Sequence, residues 1–193
     1  MKRFLPWIIG LGVILILVFY FFSVKNTALR KDQASQKEWG NVETAYQRRN
    51  DLIGNLVNTV KGAADFEKST LTAVVEARAK ATSVQIDPAN ITPEQFAQFQ
   101  QAQSGVSSAL GRLLVSVERY PDLKANQNFL KLQDELASTE NQILTARTRF
   151  NETVLDFNSY ILAAPQSFFL GSYAQKPYFK SVQGAEKPVE VKF

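Results

Sequence analysis

The chain has 193 residues, a net charge of +4, and neither cysteine nor histidine. That length accommodates one domain plus an appendage. The missing residue types exclude disulfides, zinc sites with Cys or His ligands, cysteine nucleophiles and histidine general bases.

The charge is spread along the chain with no long run of one sign, so the basic balance gives no reason to expect a nucleic-acid partner. From Phe4 to Phe22 there are nineteen residues without a charge. As a helix they span roughly 28 Å, close to the thickness of a bilayer core. Lys2 and Arg3 resemble the basic start of a signal peptide, but the apolar run is too long for one and no small-x-small cleavage site follows. The reading is a retained single-pass anchor over residues 1–24, with Trp7 and Tyr20 at the two membrane interfaces. The membrane expected is the inner (cell) membrane. Lys25, Arg30, Lys31 and Lys37 beyond the run favour a cytoplasmic domain by the positive-inside rule. The resemblance of the start to an uncleaved export signal favours an extracytoplasmic, periplasmic one, and the reading leans that way.

The first helix continues to about Lys61, with Trp39 ahead of a seam at Val42, Tyr46, Arg49, Ile53, Leu56 and Val60 in steps of four and three. Gly62 breaks it. Asp65 is a candidate cap for a second helix running through Leu71, Val74, Val75 and Arg78 to about Thr82. Residues 83–92 are loop. Thr92, Pro93 and Gln95 then form a helix start, and Phe96, Phe99, Gln103, Val106, Leu110, Leu113, Val117 and Tyr120 line a third helix that Pro121 ends. A fourth long helix is expected from about Asn126 to Ala164, stopping at Pro165. Its seam is Phe129, Leu132, Leu136, Thr139, Ile143, Ala146 and Phe150. No segment alternates with period two for long enough to require a sheet, and Val189–Val191 is at most a short extended tail.

The fold expected is therefore all-α: an N-terminal transmembrane helix followed by an elongated antiparallel four-helix bundle over residues 25–165, since short links join antiparallel neighbours. An aromatic-rich tail, residues 166–193, carries Phe168, Phe169, Tyr173, Tyr178 and Phe179. Two readings of it stay open: a foot touching lipid headgroups, with Phe168 and Phe169 at the membrane interface, or a tail packed back on the base of the bundle.

Three blocks resemble the LemA family: WGNVETAYQRRNDLIGNLVNTVKG from Trp39 to Gly62, RYPDLKANQNFLKLQDELASTENQI from Arg119 to Ile143 extended by ARTRFNETVLDFN to Asn158, and KPYF from Lys176 to Phe179. The resemblance covers most of the chain and departs mildly at Gly54, where the family pattern leads one to expect proline. It implies a bacterial membrane-anchored helical protein with no established catalytic activity. It also implies a link by gene context to a membrane metalloprotease of the HtpX type and to membrane proteins bearing a TPM domain, and for one relative a part in magnetosome formation.

Arg49 falls on the seam of the first helix, and a buried guanidinium needs a partner. Glu140 beside Asn141 on the fourth helix is the candidate, with Asp51 nearby. The readings are a register-setting polar layer, which is preferred, or a polar groove between the two helices. Asn141, Asn151 and Asn158 read as structural hydrogen-bonding residues, in preference to the lining of a ligand site, since Asn is a poor helix former without catalytic power of its own. The turn Tyr120, Asp122, Lys124 and Asn126 should lie at the membrane-distal tip, as a partner-binding loop or as caps of the next helix. No cofactor and no metal site is expected, because the carboxylates lack the spacing and histidine is absent.

The function expected is a non-enzymatic, membrane-anchored scaffold of the bacterial cell envelope, assembling with itself as a homo-oligomer or with another membrane protein. The alternative is an adaptor or regulator of a membrane protease in envelope quality control. The partners expected are the lipid bilayer and protein, with no nucleic acid and no small-molecule substrate. An enzyme using carboxylate or lysine chemistry would need a concave polar pocket with strongly shifted pKa values.

Overall fold

The computed structural model describes residues 5–62 and 66–180, and every described element is helical. Helix α1 runs unbroken from Leu5 to Lys61, 57 residues, or about 86 Å. Pro6 sits in its first turn, where a missing amide donor costs nothing. The helix passes through Gly54 without interruption, so glycine there does not break it. From Trp7 to Phe19 the large apolar side chains of α1 are exposed, and this end of the helix is long and apolar enough to cross a membrane. From Val24 onward the same helix has a buried stripe. One rod thus carries both the apolar segment and one wall of the core.

Helix α2, Lys68–Ser83, begins after Glu67, which makes no side-chain cap. Asp65 lies outside the described residues, as do Lys2, Arg3 and Val189–Val191. Leu71 and Val74 are buried, and Val75 is exposed. Helix α3 spans Pro93–Val117, and Thr92 accepts the Gln95 amide at 3.2 Å, as its start pattern requires.

The next junction differs from expectation. The third helix ends at Val117, before Tyr120, and Pro121 opens a further turn, α4, Pro121–Lys124. Proline is preorganised for a first helical position, so it starts this turn. Asn126 then caps α5, Gln127–Leu162, its Oδ1 accepting from the amides of Asn128 and Phe129 at 2.9 and 3.2 Å. Extended backbone at Ala163 (φ −68°, ψ 143°) ends α5 two residues before the expected Ala164.

Side-chain pairings give the directions. Lys31 meets Asp156 and Arg49 meets Glu140, so α1 and α5 run opposite ways along their shared length. Glu67 meets Arg119, while Ala81 and Val84 lie beside Phe99, so α2 and α3 are also opposed. Trp39 touches Phe96 and Phe99, and Arg49 touches Gln103 and Ser107, which makes α3 parallel to α1.

The core divides into three apolar layers. The lowest, near the exposed apolar segment, holds Val24, Ala28, Phe157, Ile161 and Leu170. The middle is built on Trp39, Val42, Phe96, Phe99, Phe150 and Phe179. The highest runs from Leu52 and Ile53 through Leu56, Leu113 and Val117 to Phe129.

Two of these layers contain residues from beyond the last long helix. After a single 3-10 turn, Gln166–Phe168, the chain turns back along α5 as an extended segment. Leu170 enters the lowest layer and Phe179, 6% exposed, the middle one. Heptad seams do not reach this segment, because it has no helical period.

Candidate functional site

A polar layer separates the middle and upper cores. Arg49, on the α1 seam between Tyr46 and Ile53, is 1% exposed. Its Nη1 donates to Glu140 Oε1 at 3.0 Å and to Ser107 Oγ at 3.1 Å, and its Nη2 donates to Gln103 Oε1 at 2.5 Å. The guanidinium also lies 4.9 Å from the centre of the Tyr46 ring, within cation–π range. Burial pushes the Tyr46 phenol above its ordinary pKa, and the cations of Arg147 and Arg49 partly offset this. The expected Arg49–Glu140 contact is therefore present. Asp51 and Asn141 are not part of it: both are exposed, and Asp51 accepts from Gln47 instead. Gln103 and Ser107 of α3 complete the layer. Gln103 was visible as a polar residue on an apolar seam, whereas Ser107 gave no signal.

Open clefts flank the layer. One, of about 680 Å³, is lined by Arg49, Ser107, Glu140 and Arg147, and the other, of about 590 Å³, by Tyr46, Arg48, Asn50 and Asp51. Arg49 Nε and Asn50 Oδ1 are buried there without a protein partner. Among the described residues no three Asp, Glu, Cys or His side chains gather closely enough to hold a metal ion.

The second polar layer, between the lower and middle cores, is where the tail is held. Asn158 Nδ2 donates to the Lys176 carbonyl at 2.8 Å while its Oδ1 accepts the Lys176 amide at 2.9 Å. One heptad earlier, Asn151 does the same to Phe179, at 2.8 and 2.9 Å. Each side-chain amide thus stands in for a neighbouring strand. The spacing explains why the two pairs fit together. Seven helical residues rise about 10.5 Å, and three extended residues cover about 10 Å. Lys176, itself buried, pairs with Asp32 at 2.6 Å and donates to the Pro88 carbonyl at 3.0 Å. This ties the tail to α1 and to the α2–α3 loop. Phe179 closes against Trp39, Phe96 and Phe150, with ring centres 6.2, 4.7 and 5.8 Å away. Arg147 covers Phe179 from outside at 4.5 Å. The sequence repeats a Phe-Asn pair one heptad apart, Phe150-Asn151 and Phe157-Asn158, but no local pattern shows the extended partner of the two asparagines.

The distal turn splits into two kinds of residue. Tyr120 is half-buried, its ring 4.9 Å from that of Phe66, and Asn126 is occupied as the cap of α5. Asp122 and Lys124 face solvent, and Lys124 pairs with Glu118. At the other end Trp7 is exposed, and Tyr20 is half-buried with its ring 5.9 Å from that of Phe169. The two tail phenylalanines therefore diverge: Phe169 packs back on Tyr20 and Phe21, while Phe168 is 83% exposed.

The sequence model of the LemA family matches residues 38–193. The chain belongs to the LemA family. The match starts one residue before Trp39 and includes the polar layer, the distal turn and the clamped tail. "Protein LemA" of Metamycoplasma hominis is 27% identical over 161 residues, covering 82% of this chain and 68% of that protein. "Magnetosome protein MamQ 2" of Paramagnetospirillum magneticum is 24% identical over 85% of this chain and 67% of its own length. "Magnetosome protein MamQ" of Magnetospirillum gryphiswaldense is 24% identical over 80% of this chain and 64% of its own. The chain thus spans about two thirds of the length of these relatives.

Proposed function

We propose that this LemA-family protein is a non-enzymatic, membrane-anchored scaffold of the bacterial cell envelope. It is held in the inner membrane by the apolar part of α1. It presents an elongated antiparallel four-helix bundle, in the extracytoplasmic space, to a second copy of itself or to another membrane protein. The observation that supports this reading is the continuity of α1. The same helix that is apolar and exposed from Trp7 to Phe19 forms the bundle wall to Lys61, so a span and a distal tip share one continuous rod.

The polar layer around Arg49 fits a register-setting device in such a rod. The shifted titratable groups are Tyr46 in the layer and the exposed Glu67 and Asp87. The two carboxylates are held low chiefly by hydrogen bonds from Ser69 and from Asn90. They do not converge on one cleft. The solvent-facing Asp122 and Lys124 are the side chains at the tip best placed to meet a partner.

The test is the mass of the full-length protein in mild detergent, with co-purifying proteins identified after light crosslinking. The scaffold reading expects a homo-oligomer, or a stable complex that is lost when exposed helix faces are made charged. A lone monomer under all conditions sinks it. A monomer carrying one membrane protease, released by Asp122→Ala, moves the assignment to an adaptor of that protease.

A further inference from the structure

We infer that Leu162–Phe168 forms a second membrane contact, a foot whose Phe168 enters the bilayer interface beside the anchor. The inference rests on the reading of α1 as a retained span, and it adds where and how the bundle meets the lipid.

Heights along α1 place the foot. Tyr160 Oη donates to the Val24 carbonyl at 3.4 Å, so α5 reaches the level of Val24 two residues before it ends at Leu162. Leu170 packs with Val24 and Ala28, and Phe169 lies one step lower, its ring 5.9 Å from both Tyr20 and Phe21. The segment between Leu162 and Phe169 therefore sits at or below the level of Tyr20–Phe22. Those residues end the nineteen-residue uncharged run. A bilayer that covers the run reaches this segment as well.

The chemistry of the segment agrees. Phe168 is 83% and Leu162 58% exposed, and Phe169 between Phe168 and the core packs on Tyr20 and Phe21 of α1. No acidic residue occurs from Leu162 to Lys180 or before Asp32, whereas Lys25 and Arg30 flank the same level. An aromatic side chain with basic neighbours and no carboxylate suits the headgroup boundary.

The foot is tied to the bundle on both sides. Lys25 Nζ lies over Phe21 at 5.8 Å and over Tyr173 at 5.5 Å, which joins the span, the tail and the boundary. Above it the two Asn clamps hold the tail to α5. A single helix crossing a bilayer leaves the attached domain free to tilt. A second contact on the α5 side fixes one orientation of the rod on the membrane.

The test uses full-length protein carrying Trp7→Phe and Phe168→Trp in phosphatidylcholine vesicles, with some lipids brominated at shallow or deep acyl positions. Trp39 stays as an internal reference, because it is buried and roughly 25 Å of helix beyond Phe22. The expected result is blue-shifted emission from residue 168, quenched more by shallow than by deep bromines. Water-like emission, quenched by acrylamide and untouched by brominated lipid, overturns the foot.

A control protein keeps Trp7 and the native Phe168. If its Trp7 also escapes the brominated lipids, the anchor itself is wrong. If Trp7 is quenched and residue 168 is not, the foot alone fails. In a second variant, Phe168→Asp, the amides of Ala164 and of residues 166–170 should exchange faster in vesicles than in the native protein. Unchanged exchange rejects the orienting role.

Discussion

Arg49 shows what one residue does to an otherwise apolar seam. Its guanidinium is buried between two apolar layers, and Gln103, Ser107 and Glu140 receive it. Glu140 is 47% exposed, so water can solvate it if the pair is broken. The cost of losing Arg49 then lies in the void and in the unpaired Gln103. Arg49→Ala should destabilise by about 2–5 kcal/mol. Arg49→Met, which keeps most of the volume, should cost distinctly less. Guanidinium unfolding followed by Trp39 emission measures both, and equal losses would contradict a packing role. The pairing with Glu140 was legible because Arg49 falls on a helical seam and needs a partner, and Glu140 adjoins the seam residue Thr139 on the fourth helix. The third partner was not, since seams do not state which helix faces which.

At the scale of elements, the extended tail is as much a part of the core as any helix. It has no regular hydrogen-bond ladder, and the two asparagines supply what a neighbouring strand would give. Removing either amide leaves a buried backbone pair without partners. Asn151→Ala and Asn158→Ala should each cost about 1–3 kcal/mol, and Phe179→Ala about 3–5 kcal/mol. Hydrogen exchange at Lys176 and Phe179 should rise in both Asn variants before α1 or α5 loosens. Retained protection would show that Phe179 alone holds the segment. Helices, by contrast, announced themselves. The starts at Thr92 and Asn126 carry their own capping side chains, which act within three residues of sequence. The turn at Pro121 was misjudged because proline both ends one helix and suits the first position of the next.

At the scale of the whole molecule, α1 sets the dimensions. From Phe22 to Lys61 its rise is roughly 58 Å, so the distal turn should stand about that far above the membrane surface. The chain contains no cysteine, and Asp122→Cys therefore offers a single labelling point at the tip. Energy transfer from that label to a dye at the vesicle surface should report a distance near that height. A value of half as much would mean that the rod lies down.

The sequence by itself determined the apolar segment, the four long helices and the place of Arg49. These follow from periodicities and caps that act over a few residues. Only the tertiary structure decided that Asn151 and Asn158 grip the tail, that Phe179 completes the Trp39 cluster, and that Phe168 and Phe169 face opposite surroundings. Those outcomes depend on an aperiodic segment meeting side chains 18 and 28 positions away. No local pattern specifies such meetings, because they arise only when α1, α3 and α5 together form the groove.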